Sequence, residues 1–177
     1  MFKYLFSIIF MLVSSLSFAS EVNIYTSRHY DSDDELYEDF RKETGIKINV
    51  ISGNGSALLE RMKSEGENSP ADIFFTVDAG NLWKIQKEGY FQSISSAKAL
   101  SVVPENLRGP NNEWIAIAKR ARVIFYNPQT VSNEELADLS YEDLSSEEWN
   151  NRVVIRSSGN IYNQSLVASL IKNNGKG

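Results

Sequence analysis

The sequence predicts an α/β fold built on a parallel sheet. Its first half alternates short apolar runs with amphipathic segments, in the order strand, helix, strand, helix, strand. Loops rich in Ser, Gly and Asn separate the apolar runs, and each run has the length of a strand. Such alternation favours parallel strands joined by helical crossovers, with ligand-binding groups at the carboxyl ends of the strands.

The elements of the first half follow from this pattern. In chain order they are a strand at 22–25, a helix at 31–43, a strand at 46–51, a serine-capped helix that carries Leu58, Leu59 and Met62 and stops before Gly66, a strand at 72–76, and a helix around Leu82, Trp83 and Ile85.

The second half has a different pattern of predicted elements. It predicts strands at 114–118, 122–127 and 153–155, two short helices beginning at the capping-box patterns of Ser132 and Ser140, and a helix at 162–172. The basic segment 119–122 lies between the first two of these strands, and we expect the chain to cross between two lobes there.

Residues 1–19 are predicted to be a signal peptide. Lys3 precedes an apolar run at 5–13, and the small residues Ser17 and Ala19 fit the positions before a cleavage site. The mature protein is then expected to begin at Ser20 and to be exported, with an uncleaved N-terminal anchor as the alternative. No later stretch reaches the roughly 20 apolar residues of a membrane helix, so no stable membrane insertion is expected after cleavage.

Composition narrows the possible functions. The chain is 42% hydrophobic and 23% charged, which is typical of a globular domain. Loss of residues 1–19 removes one positive charge, Lys3, so the net charge of −5 becomes −6, and a nucleic acid partner is not expected. There are no cysteines, so any metal must be held by oxygen and imidazole ligands.

The adjacent residues His29 and Tyr30 are the most informative candidates for a binding site. His29 is the only histidine of the chain, and the two residues come just after the first predicted strand. In parallel α/β folds this carboxyl edge is where ligands bind. The pair of His29 and Tyr30 therefore predicts a binding site at this edge of the sheet.

Four stretches of the chain carry a resemblance to a known family. They are residues 24–30, 69–80, 119–124 and 156–165. Through them the sequence resembles the periplasmic ferric-iron-binding proteins of ABC importers, most closely the cyanobacterial FutA type, within family 1 of the bacterial extracellular solute-binding proteins. The resemblance covers the whole mature chain.

The resemblance implies a periplasmic-binding-protein-like (type II) two-lobed fold that closes on Fe(III). Residues 20–118 are then lobe one, and residues 119–177 are the lobe crossing and an incomplete lobe two. The family role implies a monomer in the periplasm that delivers ferric iron to an inner-membrane ABC permease, with no enzymatic activity.

The resemblance also implies a ligand set. His29, Tyr30 and Tyr162 match the metal-binding motifs of the family, but the adjacent tyrosine pair that completes them is absent, and the sequence ends at Gly177. We therefore expect a fragment or a truncated product, with most of lobe one and the start of lobe two. Val77 stands where some bacterial relatives carry a glutamate ligand, which points to the tyrosine-rich class.

The chemistry of Fe(III) agrees with these ligands. Fe(III) is a small, hard cation that favours anionic oxygen donors, and phenolate is such a donor. An unperturbed tyrosine has a pKa of about 10, so its ionisation at pH 7 costs about 4 kcal/mol, which the charge of the metal must supply. Neutral imidazole from His29 would be a further, weaker ligand.

Polar residues around the expected metal form a second group of candidates. Ser158, Gly159 and Asn160 lead into a helix whose free N–H groups favour an anion, so a synergistic carbonate, phosphate or citrate is expected there. An arginine is expected to balance the charge of the phenolates, and Arg122 is preferred over Arg120 for this role. Residues two apart on a strand share a face, so the sequence does not decide between the two arginines.

The sequence is also compatible with other functions. The same architecture serves many ligands, so a binding protein for an oxyanion or an organic solute is the alternative. The arginines are also compatible with a solvated basic turn. An enzyme is not expected, because His29 has no cysteine partner and the chain has neither a nucleophile elbow nor an HExxH motif. The remaining tyrosines, which we expect to serve in packing, are Tyr25, Tyr37, Tyr90, Tyr126 and Tyr141.

Overall fold

The structure, a computed structural model, describes residues 20–175. The predicted signal peptide and its cleavage site lie outside these residues. The chain divides into two compact units, the first ending at Val77 and the second beginning at Asp78. The lobe boundary predicted after residue 118 stays a prediction. Within residues 20–175, no helix combines the length and the apolar character that crossing a membrane requires.

The first unit contains a three-stranded parallel sheet. Its elements are β1 (Glu21–Thr26), α1 (Ser32–Thr44), β2 (Lys47–Ser52), α2 (Gly55–Glu65), a 3₁₀ turn at Gly66–Asn68 and β3 (Ile73–Phe75). The strand order is β2-β1-β3, and both pairings are parallel. The alternation predicted from the sequence is confirmed here.

The core of this unit lies against the central strand. Ile24 and Tyr25 of β1 are 5% and 0% exposed. Leu58, Leu59 and Met62 of α2 are also buried. Leu58 and Met62 are four residues apart and therefore lie on one face of the helix, which explains why α2 packs along this side.

The buried hydroxyl of Tyr25 is anchored by a carboxylate. It donates to both oxygens of Glu65, at 2.7 and 2.8 Å. Arg61 Nε and Ser69 Oγ also donate to Glu65, each at 2.7 Å. These donors, of which Arg61 has the largest effect, hold the pKa of Glu65 below its usual value. Burial raises the pKa of Tyr25. The network joins β1 to the end of α2 and to the loop that leads into β3.

The start of α2 differs from the expectation. A serine of the segment 52–56 was expected to cap this helix, but the cap is Asn54, whose Oδ1 accepts from the N–H of Ala57 at 2.8 Å. The prediction of a serine cap is wrong. Asparagine caps as well as serine does, and the extended backbone of Asn54 (φ −74°, ψ 152°) aims its side chain at the first turn.

The second unit is mainly helical and irregular. Its helices are α3 (Ala79–Lys87), α4 (Ala97–Val102) and α5 (Ile161–Asn174), with 3₁₀ turns at Glu105–Leu107, Pro110–Asn112, Asp143–Ser145 and Glu147–Trp149. The predicted helices around Trp83 and from 162 to 172 are confirmed as α3 and α5. Ile85 and Trp149 are the buried hydrophobic residues described in this unit.

The strands predicted in the second unit are not formed. Residues 114–118 contribute one isolated antiparallel bridge, between Arg108 and Ile115, and residues 122–127 and 153–155 form no strand. Phe125 is 89% and Val154 is 98% exposed. Apolar and β-branched composition favours a strand, but a strand also needs a partner for its backbone N–H and C=O groups. Among residues 20–175 these runs have no such ladder partner.

The predicted short helices form their caps but do not propagate. Ser132 N–H donates to Glu135 and Ser140 N–H donates to Asp143, each at 2.8 Å, as a capping box requires. The segment after Ser132 is nevertheless only turns, and the segment after Ser140 is a single 3₁₀ turn. Helix nucleation is costly, and a helix this short needs a packed apolar face to persist.

We expect Tyr25→Phe to lower the free energy of unfolding by about 1.5–3 kcal/mol at pH 7, because it removes a hydrogen bond to a charged group. The depressed pKa of Glu65 means that the carboxylate contributes stability above its unfolded value of 4.5, and that this contribution is lost as the pH falls through the lower folded value. Chemical denaturation should therefore show a smaller difference between wild type and variant at pH 3.

The matched control for this variant is Tyr126→Phe. The Tyr126 hydroxyl donates to Asn133 at 3.1 Å, but this side chain is 45% exposed. Little change in stability is expected for it at either pH. A Tyr25→Phe deficit of equal size at pH 7 and pH 3 would show that the charge of Glu65 is not involved.

We expect Asn54→Ala to destabilise the protein by about 1 kcal/mol, because it removes the N-cap of α2. Ser56→Ala is the control, since Ser56 lies inside the helix and does not cap it. Thermal unfolding of both variants measures the difference. The cap assignment fails if Ser56→Ala is the more damaging change.

Candidate metal site

The end of β1 is held on both sides at the carboxyl edge of the sheet. The hydroxyls of Ser27 and Thr76 share a hydrogen bond of 2.6 Å, and the N–H of Ser27 donates to Phe75 O at 3.0 Å. The N–H of Arg28 donates to the hydroxyl of Thr26 at 3.0 Å. The chain therefore leaves the sheet along a defined path into residues 28–30.

His29 and Tyr30 lie side by side at this edge. Their rings stack, with centroids 5.1 Å apart and an interplanar angle of 21°. Both residues are exposed, and Tyr30 has a relative exposure of 38%. The two rings thus lie together at the surface of the same short segment, and their role as metal ligands stays a prediction.

Arg28 ties this segment to the start of α1. Its Nε and Nη2 donate to the two carboxylate oxygens of Asp33, each at 2.7 Å, in a bidentate ion pair. The hydrogen bonds from Arg28 lower the pKa of Asp33. The guanidinium carbon lies 4.8 Å from the ring centroid of Tyr30 and 4.4 Å from that of Phe75.

Tyr162 lies in the second unit, in the first turn of α5. Its N–H donates to Oδ1 of Asn160, the N-cap of the helix, at 3.0 Å. The guanidinium carbons of Arg120 and Arg156 lie 4.9 and 5.1 Å from the ring centroid of Tyr162. Two cations therefore contact the aromatic ring of this candidate ligand.

The loop before α5 is folded back onto the first turns of the helix. Asn163 Nδ2 donates to Arg156 O at 2.8 Å, and Gln164 Nε2 donates to Ser158 O at 3.0 Å. Asn163 is 9% exposed, so the first of these contacts is inside the structure. Gly159 is exposed, and a Cβ placed on it would meet no atom within 4 Å. The loop is thus fixed from the side of the helix and open on the other.

Arg122 has a different partner from Arg120. Its Nη2 lies 3.2 Å from Oδ2 of Asp78, whose side chain is 9% exposed. The other oxygen, Oδ1, accepts from Gly80 N–H at 2.8 Å and from Ser165 Oγ at 2.7 Å. Asp78 therefore caps α3, contacts α5 and neutralises Arg122.

The predicted residues separate into two groups. His29 and Tyr30 come together in the first unit, and Tyr162 lies with Arg120 in the second, beside the loop of Ser158, Gly159 and Asn160. Their action as one set of metal ligands stays a prediction. Within residues 20–175 there is no group of three His, Cys, Asp or Glu side chains that could hold a metal.

No sequence pattern assigned a role to Arg28, Asp33 or Arg156. The signal for Arg28 and Arg156 was present, since each stands inside one of the motif stretches. Their contacts with tyrosine rings depend on tertiary geometry that spacing alone does not reveal. Asp33 lies five residues beyond Arg28, across the turn into α1, and no periodic pattern relates the two.

Comparison with known proteins places the chain among relatives of similar sequence. Residues 68–177 match the family described as bacterial extracellular solute-binding protein. Iron uptake protein A1 of Synechocystis sp. is 53% identical over 156 residues, which cover 88% of this chain and 43% of the relative. The chain thus spans about half the length of the relatives it matches.

Two solved structures share the fold. FutA (IdiA) of Trichodesmium, solved with iron and citrate ligands, has a TM-score of 0.79 and 54% identity over 88% of this chain and 49% of that chain. The ferric binding protein from Campylobacter jejuni has a TM-score of 0.81 and 41% identity over 88% of this chain and 49% of that chain. The predicted periplasmic-binding-protein-like α/β fold is confirmed. Since the family match extends over more than half of the sequence, the chain belongs to the bacterial extracellular solute-binding proteins.

Proposed function

We propose that the protein is the periplasmic substrate-binding component of a bacterial ABC iron importer. It binds Fe(III) through tyrosine phenolates and delivers it to an inner-membrane permease. Family membership and the similarity to proteins named for iron uptake and ferric binding support this proposal. The protein acts by binding and release as a monomer and not as an enzyme.

The observation that carries the proposal is the exposed pair of His29 and Tyr30. Both rings lie at the carboxyl edge of a parallel sheet, where this type of fold binds ligands. Phenolate is a hard anionic donor and neutral imidazole is a weaker one, a combination that suits Fe(III) better than a soft metal. The chain has no cysteine to offer a thiolate.

Tyr162 is proposed as the second phenolate ligand. Arg120 and Arg156 contact its ring, so their positive charge stabilises a negative phenol oxygen once the metal has displaced the proton. The sequence ranked Arg122 ahead of Arg120. Arg120 is favoured for this role, because its guanidinium contacts the ring of Tyr162, whereas that of Arg122 pairs with Asp78.

An anion is proposed to complete the iron site. The Trichodesmium relative was solved with citrate as well as iron. In this chain Arg120 and Arg156 supply positive charge, and Ser158 and Gly159 supply backbone N–H groups ahead of α5. Asn160 is the N-cap that already satisfies the N–H of Tyr162, so its contribution is to fix the turn.

Closure of the two lobes around Fe(III) is proposed to bring the two phenolates to one metal ion. Hinge closure around a ligand is the general motion of periplasmic binding proteins. Tyr30 lies in the segment that follows β1, and Tyr162 lies in the first turn of α5.

The direct test is ferric citrate titration of the protein in the longest form that its gene encodes, hereafter the full gene product. We expect a visible absorption band, because phenolate ligands transfer charge to Fe(III). Tyr30→Phe and Tyr162→Phe should each weaken binding by at least about tenfold, or roughly 1.4 kcal/mol, and reduce the band.

Tyr126→Phe is the control for this titration, because Tyr126 is an exposed tyrosine that bonds to Asn133. It should leave the band and the affinity unchanged. Competition by Zn(II) or Mg(II) as strong as that of Fe(III) would contradict the proposal. A colourless complex with phosphate or an organic anion would instead support the oxyanion or organic-solute alternative.

A second prediction concerns the arginines at Tyr162. Arg120→Gln should weaken ferric binding by about 10–100-fold, the range found when groups that support a metal ligand are removed. Competition between the protein and citrate measures this affinity. The loss should exceed that of Arg122→Gln, whose main effect should be on stability through Asp78.

Arg152→Gln is the matched control for Arg120→Gln. Arg152 also contacts an aromatic ring, with its guanidinium carbon 4.7 Å from the ring centroid of Trp149, and it pairs with Glu135 at 2.6 Å. Its loss removes the same kind of contact away from Tyr162. Equal affinity losses in the Arg120 and Arg152 variants would show that general destabilisation, and not the site, is responsible.

A further inference from the structure

Arg28 is held by a bidentate ion pair with Asp33. Both ends of its fork are used, because Nε and Nη2 each donate to a separate oxygen of Asp33 at 2.7 Å. The side chains of Arg28 and Asp33 are 16% and 11% exposed. A bidentate pair of this kind fixes the plane of the guanidinium and not only its distance.

The guanidinium also contacts two aromatic rings. Its carbon lies 4.4 Å from the ring centroid of Phe75 and 4.8 Å from that of Tyr30. Phe75 is the last residue of β3 and Asp33 lies in the first turn of α1. Arg28 is therefore in contact with a strand and a helix, while the second ring that it touches, that of Tyr30, belongs to an irregular segment.

Tyr30 is the residue that such a contact would control. It lies between β1 and α1, outside regular structure, and 38% of its surface is exposed. An exposed side chain in such a segment has several accessible rotamers, and ordering it on binding reduces affinity. Contact with a fixed planar group, together with the stacked ring of His29, restricts the ring of Tyr30 before the ligand arrives.

We propose that Arg28 is a positioning residue for the iron site, and that it sets the direction in which the Tyr30 phenol oxygen meets Fe(III). The inference rests on the proposed function. Asp33 matches the charge of Arg28, so the pair is formally neutral and its contribution is geometric. Arg120 and Arg156 instead contact the ring of Tyr162.

The test is Arg28→Lys in the full gene product. Lysine keeps the charge but has neither the planar fork for Asp33 nor a flat face for the rings. We expect ferric affinity to fall by about tenfold or more, and the phenolate-to-iron band to shift or broaden, because the Tyr30 oxygen is no longer held in one direction. A role based on charge alone predicts full rescue by lysine.

The control is Arg41→Lys. Arg41 pairs with Glu38 on the exposed face of α1, with side chains that are 57% and 51% exposed. It changes the same residue type on a neighbouring element without touching a tyrosine of the site. Affinity and band should match the wild type.

Phe75→Leu provides a second, independent variant. It removes one of the two rings around Arg28 and leaves the ion pair with Asp33 intact. We expect the same spectral change as in Arg28→Lys, with a smaller loss of affinity. If thermal unfolding shows that Arg28→Lys does not fold, the spectrum and affinity of Phe75→Leu alone test the proposal.

The possible results distinguish the inference from the proposed function. A wild-type protein that binds no iron refutes the proposed function, and the inference falls with it. A wild-type band that is lost in Tyr30→Phe but unaltered in both Arg28→Lys and Phe75→Leu overturns the inference alone. An altered band in these two variants, with an unaltered band in Arg41→Lys, supports it.

Discussion

The pairing of β1 with a strand on each side is the constraint on which the first unit depends. β1 pairs along its full length with β2 and over its last residues with β3. Beyond the strands, the N–H of Gly53 donates to Thr26 O and the N–H of Ser27 donates to Phe75 O, each at 3.0 Å. The end of β1 is thus held from both neighbours, and the segment that follows can carry exposed ligand groups without losing its position.

The first unit was predictable because its apolar runs alternate regularly with amphipathic helices. This alternation specifies parallel strands joined by helical crossovers, and β1, α1, β2, α2 and β3 follow one another in that order. Residues 122–127 and 153–155 have the same apolar composition but form no strand, because a strand requires a partner that composition does not specify. The capping boxes at Ser132 and Ser140 show the same limit of prediction from local sequence. Their hydrogen bonds form, but the helices that they were expected to begin do not.

The candidate site was predictable where position in the chain determines exposure. His29 and Tyr30 follow a strand of a parallel sheet, and the structure presents both at its edge. The choice between Arg120 and Arg122 was not predictable, because the rule that residues two apart share a face holds only for a strand. The segment is irregular, so residues two apart need not share a face, and the two side chains reach different partners, Tyr162 and Asp78. The role of Arg28 depends on Asp33 and Phe75, which no spacing rule connects to it.

The two tyrosines are supported by different physical means. Beside Tyr30 the cation is matched by a carboxylate, so this environment contributes orientation at little net charge. Beside Tyr162 two guanidinium groups contact one aromatic ring, so two cations lie against this candidate ligand. Electrostatic stabilisation acts over several ångströms and tolerates movement, whereas the direction of a metal–oxygen bond does not. In the proposed iron site, a fixed neighbour therefore orients one tyrosine while cations contact the other, so a change beside one tyrosine leaves the other undisturbed.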